Sequence, residues 1–329
     1  MTTPRFELVP QPTPLHPMRR LSAELDIELW IKRDDLTGLA FGGNKTRKLE
    51  FLVGDALARG ADTLVTSGAV QSNHCRQTAA AAACAGLECH LALGGADPGT
   101  RDGNLLLDDL LGAHLHWCGE ARKGETVPTI VTALRERGRS PVVVPYGGSN
   151  PIGARGYVRA AAELREQCEA RSLHFDAIVF ASSSGGTQAG LCVGMARADL
   201  NARGIGVRID PEPGPNGDLR DEITELIAAL DTEDGTTTGA AIEVVDEFAV
   251  PGYGTVTARE RDAVHRSART EGVLLDPVYT ARAFGGLLAM TADGRLPRAS
   301  RVLFWHTGGT PALFPYADWL RSSSASSSP

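Results

Sequence analysis

Short apolar runs of strand length alternate with segments of helical periodicity along almost the whole of this 329-residue chain. The runs fall at 27–32, 62–68, 89–95, 114–118, 142–148, 177–186, 205–210 and 301–309. Helical spacing occupies 44–60, 72–86, 104–112, 129–138, 151–171, 187–198, 257–271 and 279–293. The stretch 212–240, rich in proline and glycine, reads as loop with one helix near 218–230. Strands joined through helices must run parallel, so the pattern predicts an α/β fold with helices on both faces of each sheet. Its length suggests two domains, each an open, mostly parallel twisted sheet with flanking helices, or one domain with a large insertion. Ligands in such folds bind beyond the carboxyl ends of the strands.

Four turns that follow apparent strands are unusually polar and small: GAVQSN, YGGSN, SSSGG and HTGG. Their common position puts them in one site. In SSSGGTQAG (182–190), glycines let a ligand approach the backbone, and free N–H groups at the helix start favour a phosphate. Ser184, Gly185, Gly186 and Thr187 are the candidate cradle, though an ordinary tight turn would look the same in isolation. A dinucleotide fingerprint of the GxGxxG type is absent from the chain.

FGGNKTRKLE (41–50) places Lys45 between a glycine pair and a helix, with Asn44 read as its N-cap. The segment is similar in part to a nucleotide P-loop, but asparagine precedes the lysine and the glycine spacing differs. An amine at a helix mouth beside glycines is suited to react with a cofactor aldehyde; Lys48, one turn later, is a rival. Ser72, Asn73 and His74 offer a hydroxyl, an amide and an imidazole at a second helix start, where N–H groups can hold a carboxylate and Asn73 can donate to an aromatic hydroxyl. They also suit simple capping, and His74 alone reads equally as a structural histidine. Asp276, Tyr279 and Thr280 surround a proline-bounded helix start, and Thr307 follows the last strand. Alone, Tyr279 reads as a packed aromatic. Taken together, an amine, a polar clamp and an anion cradle read as a site for pyridoxal 5'-phosphate.

Other classes fit poorly. A net charge of −7 with scattered basic residues argues against nucleic acid as partner. No apolar stretch is of membrane-spanning length, and the proline-rich start lacks a signal-peptide core. The six cysteines make neither a disulfide scaffold nor, with His74 and His90, a recognisable metal set. These features predict a cytoplasmic protein with no metal and no membrane partner. The serine-rich end, 321–329, reads as frayed.

From WIKRDDLTG (30–38) to HTGG (306–309), the chain resembles the D-cysteine desulfhydrase and 1-aminocyclopropane-1-carboxylate deaminase family, pyridoxal-phosphate enzymes of the tryptophan-synthase-β fold group (fold type II). GGNKTRKLE, QSNHCRQTAA, LLDPVYT and HTGG carry the resemblance. It implies that Lys45 holds the cofactor, that Ser72 and Asn73 are the Ser-Asn pair, that Ser184–Thr187 form the phosphate loop, and that Tyr279 lies near the reacting carbon. It further implies a large domain of 1–46 and 156–329, a small domain of 47–155, and a homodimer. His74 and Thr280 stand where ring-opening deaminases usually carry glutamine and glutamate, which favours the desulfhydrase branch. Ser183 and the pair Ala281–Arg282 depart from common family residues. On this reading the substrate is a small amino acid, D-cysteine by preference. L-Cysteate, whose sulfonate would welcome a charge near Arg282, and aminocyclopropane carboxylate are the alternatives. Lys45 would remove the Cα proton, Tyr279 would assist at the β-substituent, Thr307 would face the pyridine nitrogen, and Ser72, Asn73, His74 and Thr280 would line the substrate's side. A non-catalytic amino-acid-binding protein on the same fold is the reading from another class.

Overall fold

The computed structural model describes residues 4–10 and 12–321; of the serine-rich end, residues 322–329 lie outside them. The chain begins with strand β1 (Leu15–Pro17), helix α1 (Arg19–Leu25) and β2 (Glu28–Arg33). Then come α2 (Asn44–Ala58), β3 (Thr63–Ala69), α3 (Asn73–Ala85), β4 (Glu88–Gly94), α4 (Gly103–Leu110), β5 (His114–Trp117), α5 (Val127–Glu136) and β6 (Pro141–Val143). The second half runs α6 (Pro151–Glu169), β7 (Ala177–Ser182), α7 (Gly186–Arg197), β8 (Arg203–Arg208), α8 (Leu219–Asp234), β9 (Glu243–Val245), α9 (Ala258–Glu271), α10 (Thr280–Ala292) and β10 (Arg301–His306). The strands form two sheets, ordered β1-β2-β10-β7-β8-β9 and β5-β4-β3-β6. Every pairing is parallel except β1 with β2. The fold is thus the α/β architecture that the alternation predicts.

The smaller sheet is built wholly from residues inside 47–155, and the larger one from strands on both sides of that interval. β1, α1 and β9 are additions to the sequence reading. β1 holds a proline, and it survives because it is an edge strand, where a missing N–H is tolerated. β9 has only three residues, too few for a period to register.

Two features hold α2 in place. Helix α6 packs between α2 and α7, and a Cβ on Gly156 would lie 2.3 Å from the Arg47 carbonyl oxygen, while one on Gly190 would lie 2.3 Å from that of Ala154. The three helices therefore meet backbone to backbone. The second feature is a buried ionic cluster. Arg47 pairs with Asp34 at 2.8 Å and with Glu163 at 2.9 Å, and Lys32 also pairs with Glu163. Tyr157 and Trp305 donate to the same Asp34 oxygen at 2.7 and 2.8 Å. Burial alone would raise the Asp34 carboxyl, but Arg47 overrides it and holds the group near about 2.

Candidate active site

The adjacent strands β2, β10 and β7 of the large sheet end side by side, as do β3 and β6 of the small one. Their carboxyl-end turns face a single cavity lined by Asn44, Lys45, Ser72, Asn73, His74, Tyr146, Ser184, Gly185, Thr187, Tyr253, Tyr279 and Thr307, among others. Of the residues assigned to the cradle or the substrate's side, Gly186 and Thr280 stay out of its lining. Gly186 forms the first residue of α7 behind the loop. The Thr280 hydroxyl is turned away to the Asp276 carboxylate at 2.7 Å, which also accepts the Thr280 N–H at 2.8 Å. Thr280 thus fastens the start of α10.

Lys45 is half-buried and donates to the Gly147 carbonyl at 3.0 Å. Asn44 does not cap the helix: Gly43 is the cap, and the Asn44 amide donates instead to the Thr187 hydroxyl at 3.1 Å. The reason is the neighbouring turn. The Asn44 N–H goes to the Thr307 carbonyl at 2.9 Å, so the residue is held between the ends of β10 and β7. Lys48 also donates to Gly147 O, at 3.1 Å, and to the Ser149 hydroxyl at 3.1 Å. Lys48 stands behind Lys45 and does not line the cavity. Burial pushes the Lys45 amine down to about 8, against a hydrogen bond with Lys48 that works the other way. Burial and the adjacent Lys45 push Lys48 well below the ordinary lysine range.

The loop before α7 has no side-chain cap, leaving its start to a ligand. Ser184 and Ser149 share a hydrogen bond of 2.9 Å, and the Gly186 N–H reaches the Ser149 hydroxyl at 3.2 Å. Gly147, at φ +64°, admits no side chain here: a Cβ would lie 2.1 Å from Ser184 Oγ and 3.4 Å from Lys45 Nζ. Amine and anion cradle therefore flank one glycine.

Ser72 is the N-cap of α3, accepting the Cys75 N–H at 3.2 Å. His74 is buried next to Lys45 and Lys48; burial and those charges drive its imidazole well below the usual range, so it is neutral. Tyr279 meets the Tyr253 hydroxyl at 2.8 Å. Burial raises both phenols, so both keep their protons at neutral pH. The Arg122 guanidinium lies 4.7 Å from the Tyr253 ring centre and donates to Tyr146 at 3.3 Å.

Sequence reasoning passed over Tyr253, Tyr146, Ser149 and Arg122. Tyr146 and Ser149 sit in the YGGSN turn singled out above. Tyr253 follows no strand and carries no such signal. Arg282, where a sulfonate was weighed, is fully buried and away from the cavity. It pairs with Glu260 at 3.0 Å and donates to the carbonyls of Ile209, Gly252 and Thr255. It holds the segment that carries Tyr253.

The residues fit pyridoxal phosphate. Among the described residues, no Asp or Glu lines the cavity, while hydroxyls, an amine and a helix start do. Three of the lining residues also carry buried polar atoms without a protein partner: His74 Nδ1, Ser182 Oγ and Gln188 Oε1. A family model described as pyridoxal-phosphate dependent enzyme matches residues 7–308. The chain is 43% identical over 322 residues to a D-cysteine desulfhydrase of Klebsiella pneumoniae (strain 342), covering 95% of this chain and 96% of the relative. It is 43% identical over 319 residues to that of Salmonella newport (strain SL254), with the same coverage. A solved structure described as an ACC deaminase homologue superposes with a TM-score of 0.89 at 39% identity, covering 96% of this chain and 95% of the other.

Proposed function

This chain belongs to the pyridoxal-phosphate dependent enzymes, as a fold type II carbon–sulfur lyase, and on that premise we propose that it eliminates the thiol from D-cysteine, giving pyruvate, sulfide and ammonia. The observation that carries the reading is the Lys45 amine, held beside Ser184 across Gly147 in a cavity whose described lining has no carboxylate. Bound there, the cofactor supplies an aldehyde for amines and a ring that takes up electron density when a proton leaves Cα.

The chain's own residues do the rest. Ser184, Thr187, Gly185 and the start of α7 would hold the phosphate, with Lys48 and Ser149 behind them. Asn73 would donate to the cofactor's ring oxygen and Thr307 would stand at its ring nitrogen, where a neutral hydroxyl would not force protonation of the ring. Ser72, with His74 beside it, receives the substrate carboxylate. Lys45 takes the Cα proton on Nζ. The carbon–sulfur bond breaks with its electron pair on sulfur, and Tyr279, relayed by Tyr253, gives that sulfur a proton. Such acid–base help is worth roughly 10²–10⁴-fold. The freed enamine then hydrolyses to pyruvate and ammonia.

Two substrates are disfavoured by the same cavity. Ring opening of aminocyclopropane carboxylate lacks the second carboxylate, and cysteate finds no arginine among the described lining residues. Incubation with D-cysteine, L-cysteine, L-cysteate, D-serine and aminocyclopropane carboxylate tests this. Pyruvate with sulfide from D-cysteine is expected; 2-oxobutyrate or sulfite as the main product rejects it. Borohydride reduction of the yellow enzyme should label Lys45, and labelling of Lys48 would transfer the role. An isolated protein that takes up no cofactor would revive the non-catalytic reading.

We also propose a cytoplasmic homodimer. The cysteines of the described residues are all unpaired, which suits a reducing compartment. Leu110, 73% exposed on α4, and Phe314, 60% exposed on a turn packed against α4, give a second copy an apolar face. Light scattering that finds a monomer at micromolar concentration would reject the dimer.

A further inference from the structure

We infer that Asn104, held by Arg76, is a positioning residue that fixes Asn73 as a hydrogen-bond donor toward the cavity. The inference rests on the proposal that Asn73 faces the cofactor's ring oxygen, and it concerns how the chain decides which end of that amide points inward.

An asparagine amide has an accepting end and a donating end, and either can face a ligand. The direction is set one contact at a time. A guanidinium has donors only. Arg76 Nε donates to Asn104 Oδ1 at 3.0 Å, so the oxygen of Asn104 must be on that side. Its Nδ2 then points the other way, donating to the Gln71 carbonyl at 2.9 Å and to Asn73 Oδ1 at 2.8 Å. Asn104 is fully buried, and its own N–H is taken by the Gln71 side chain at 2.8 Å, so it has no freedom to turn. With Oδ1 consumed, Asn73 is left with Nδ2. Turning the Asn73 amide over would set two N–H groups against each other. Asn73 lines the cavity, and among the described residues its Nδ2 has no acceptor. A Cβ on Gly309 would lie 2.8 Å from that nitrogen and 2.8 Å from Asp276 Oδ1, so the glycine leaves room for both side chains.

The same arginine also holds the turn before α2. Arg76 Nη1 donates to the carbonyls of Ala40 and Gly42, in the turn that leads to Lys45. Burial lowers the guanidinium to about 10, with Asp108 opposing, which leaves it charged and donor-only at neutral pH. One buried cation thereby holds the turn that leads to Lys45 and dictates the polarity of Asn73. A donor at Asn73 selects a ring oxygen in its ionised, accepting form.

The test is a double-mutant cycle on the full-length enzyme, read by pyridoxal-phosphate titration, by the absorption band of the bound cofactor, and by melting of the cofactor-free protein. In Asn104→Asp both carboxylate oxygens accept, so Asn73 should reverse and present Oδ1 to the cavity. The expected result is cofactor binding weakened about 10–100-fold with a displaced absorption band, and no further loss when Asn104→Asp is added to Asn73→Ala. Unchanged affinity and band in Asn104→Asp overturn the inference. So does an equal loss on the Asn73→Ala background, which would mean that Asn104 acts on the fold alone. If Asn104→Asp does not fold, Asn104→Ala, which frees the Asn73 amide to turn, is read through the same cycle with a loss of several-fold expected and the same overturning outcomes. A wild-type protein that binds no cofactor would instead sink the proposed function, leaving the two failures distinct.

Discussion

Two amines one helical turn apart, one on a half-buried lysine and one on a buried lysine, cannot both carry charge cheaply, and Lys45 and Lys48 divide the cost unequally. Lys45 at about 8 is a reactive amine. Only its neutral form attacks an aldehyde, so capture of pyridoxal phosphate by the cofactor-free enzyme should accelerate as pH rises through about 8 and level off above it. Stopped-flow absorbance between pH 6 and 10 checks this, and a flat profile would contradict the lowered value. Lys48 reaches Ser149, beside the loop proposed to hold the phosphate, and an arriving dianion would restore its charge. Lys48→Met should therefore weaken binding of pyridoxal phosphate by about 10–100-fold yet leave the affinity for unphosphorylated pyridoxal nearly unchanged. Equal losses for both would place Lys48 in a structural role. At this scale the sequence was informative where a residue's neighbours in the chain supply its setting. Lys45, Ser72, Asn73, Ser184 and Thr307 each follow a strand end or stand at a helix start, and each lines the cavity. Tyr253 is set there by Arg282 and Arg122, far off in the chain, and no local pattern encodes such a reach. Asn44 misled for the same reason: its amide has a better partner in Thr187, 143 residues on, than in its own helix.

At the scale of elements, α2 is held by contact at Gly156 and by charge at Arg47. Gly156→Ala would drive a methyl into the Arg47 carbonyl, and overpacking of that kind costs about 1–3 kcal/mol. Because the helix that must yield carries Lys45, turnover should fall along with the melting temperature; full activity with an unchanged melt would refute the close packing. The ionic cluster makes a separate prediction. The Asp34 carboxyl is held below its unfolded value, so its contribution is present at pH above about 4 and is lost as pH falls from there toward about 2. Asp34→Asn leaves Arg47 short of a counter-charge in a buried setting, a loss of about 3–5 kcal/mol. Denaturant unfolding at pH 7 should register it, and the variant's stability should vary less with pH below 4 than the parent's. Most helices and strands were legible because each repeats its period over several turns or alternations. The three-residue strands β1 and β9 were not, since their existence depends on a neighbour to pair with.

At the scale of the whole molecule, the alternation revealed parallel sheets but not which strands share one. Strand order is set by the side on which each connecting helix packs, a choice that local periodicity does not record, and the expected domain limits came from resemblance instead. The consequence for function lies where the segment after β5 crosses to the large sheet. Arg122 pairs with Asp210 at 2.8 Å and Glu212 at 2.8 Å, and Lys123 reaches Glu212 at 3.3 Å. The Glu212 contacts are exposed and count for little, whereas Asp210 is nearly buried and Arg122 rests on the Tyr253 ring. This contact therefore joins the two sheets beside the phenol pair. Arg122→Gln removes the ion pair and the cation over the ring together. If the contact keeps the cavity shut around substrate, KM for D-cysteine should rise by about tenfold or more while binding of pyridoxal phosphate, proposed to rest on Ser184–Thr187, stays close to normal. Steady-state kinetics and cofactor titration on one preparation separate these. Should the cofactor be lost as readily as the substrate, the arginine would be holding up the fold of the whole cleft, and closure would have to be sought elsewhere.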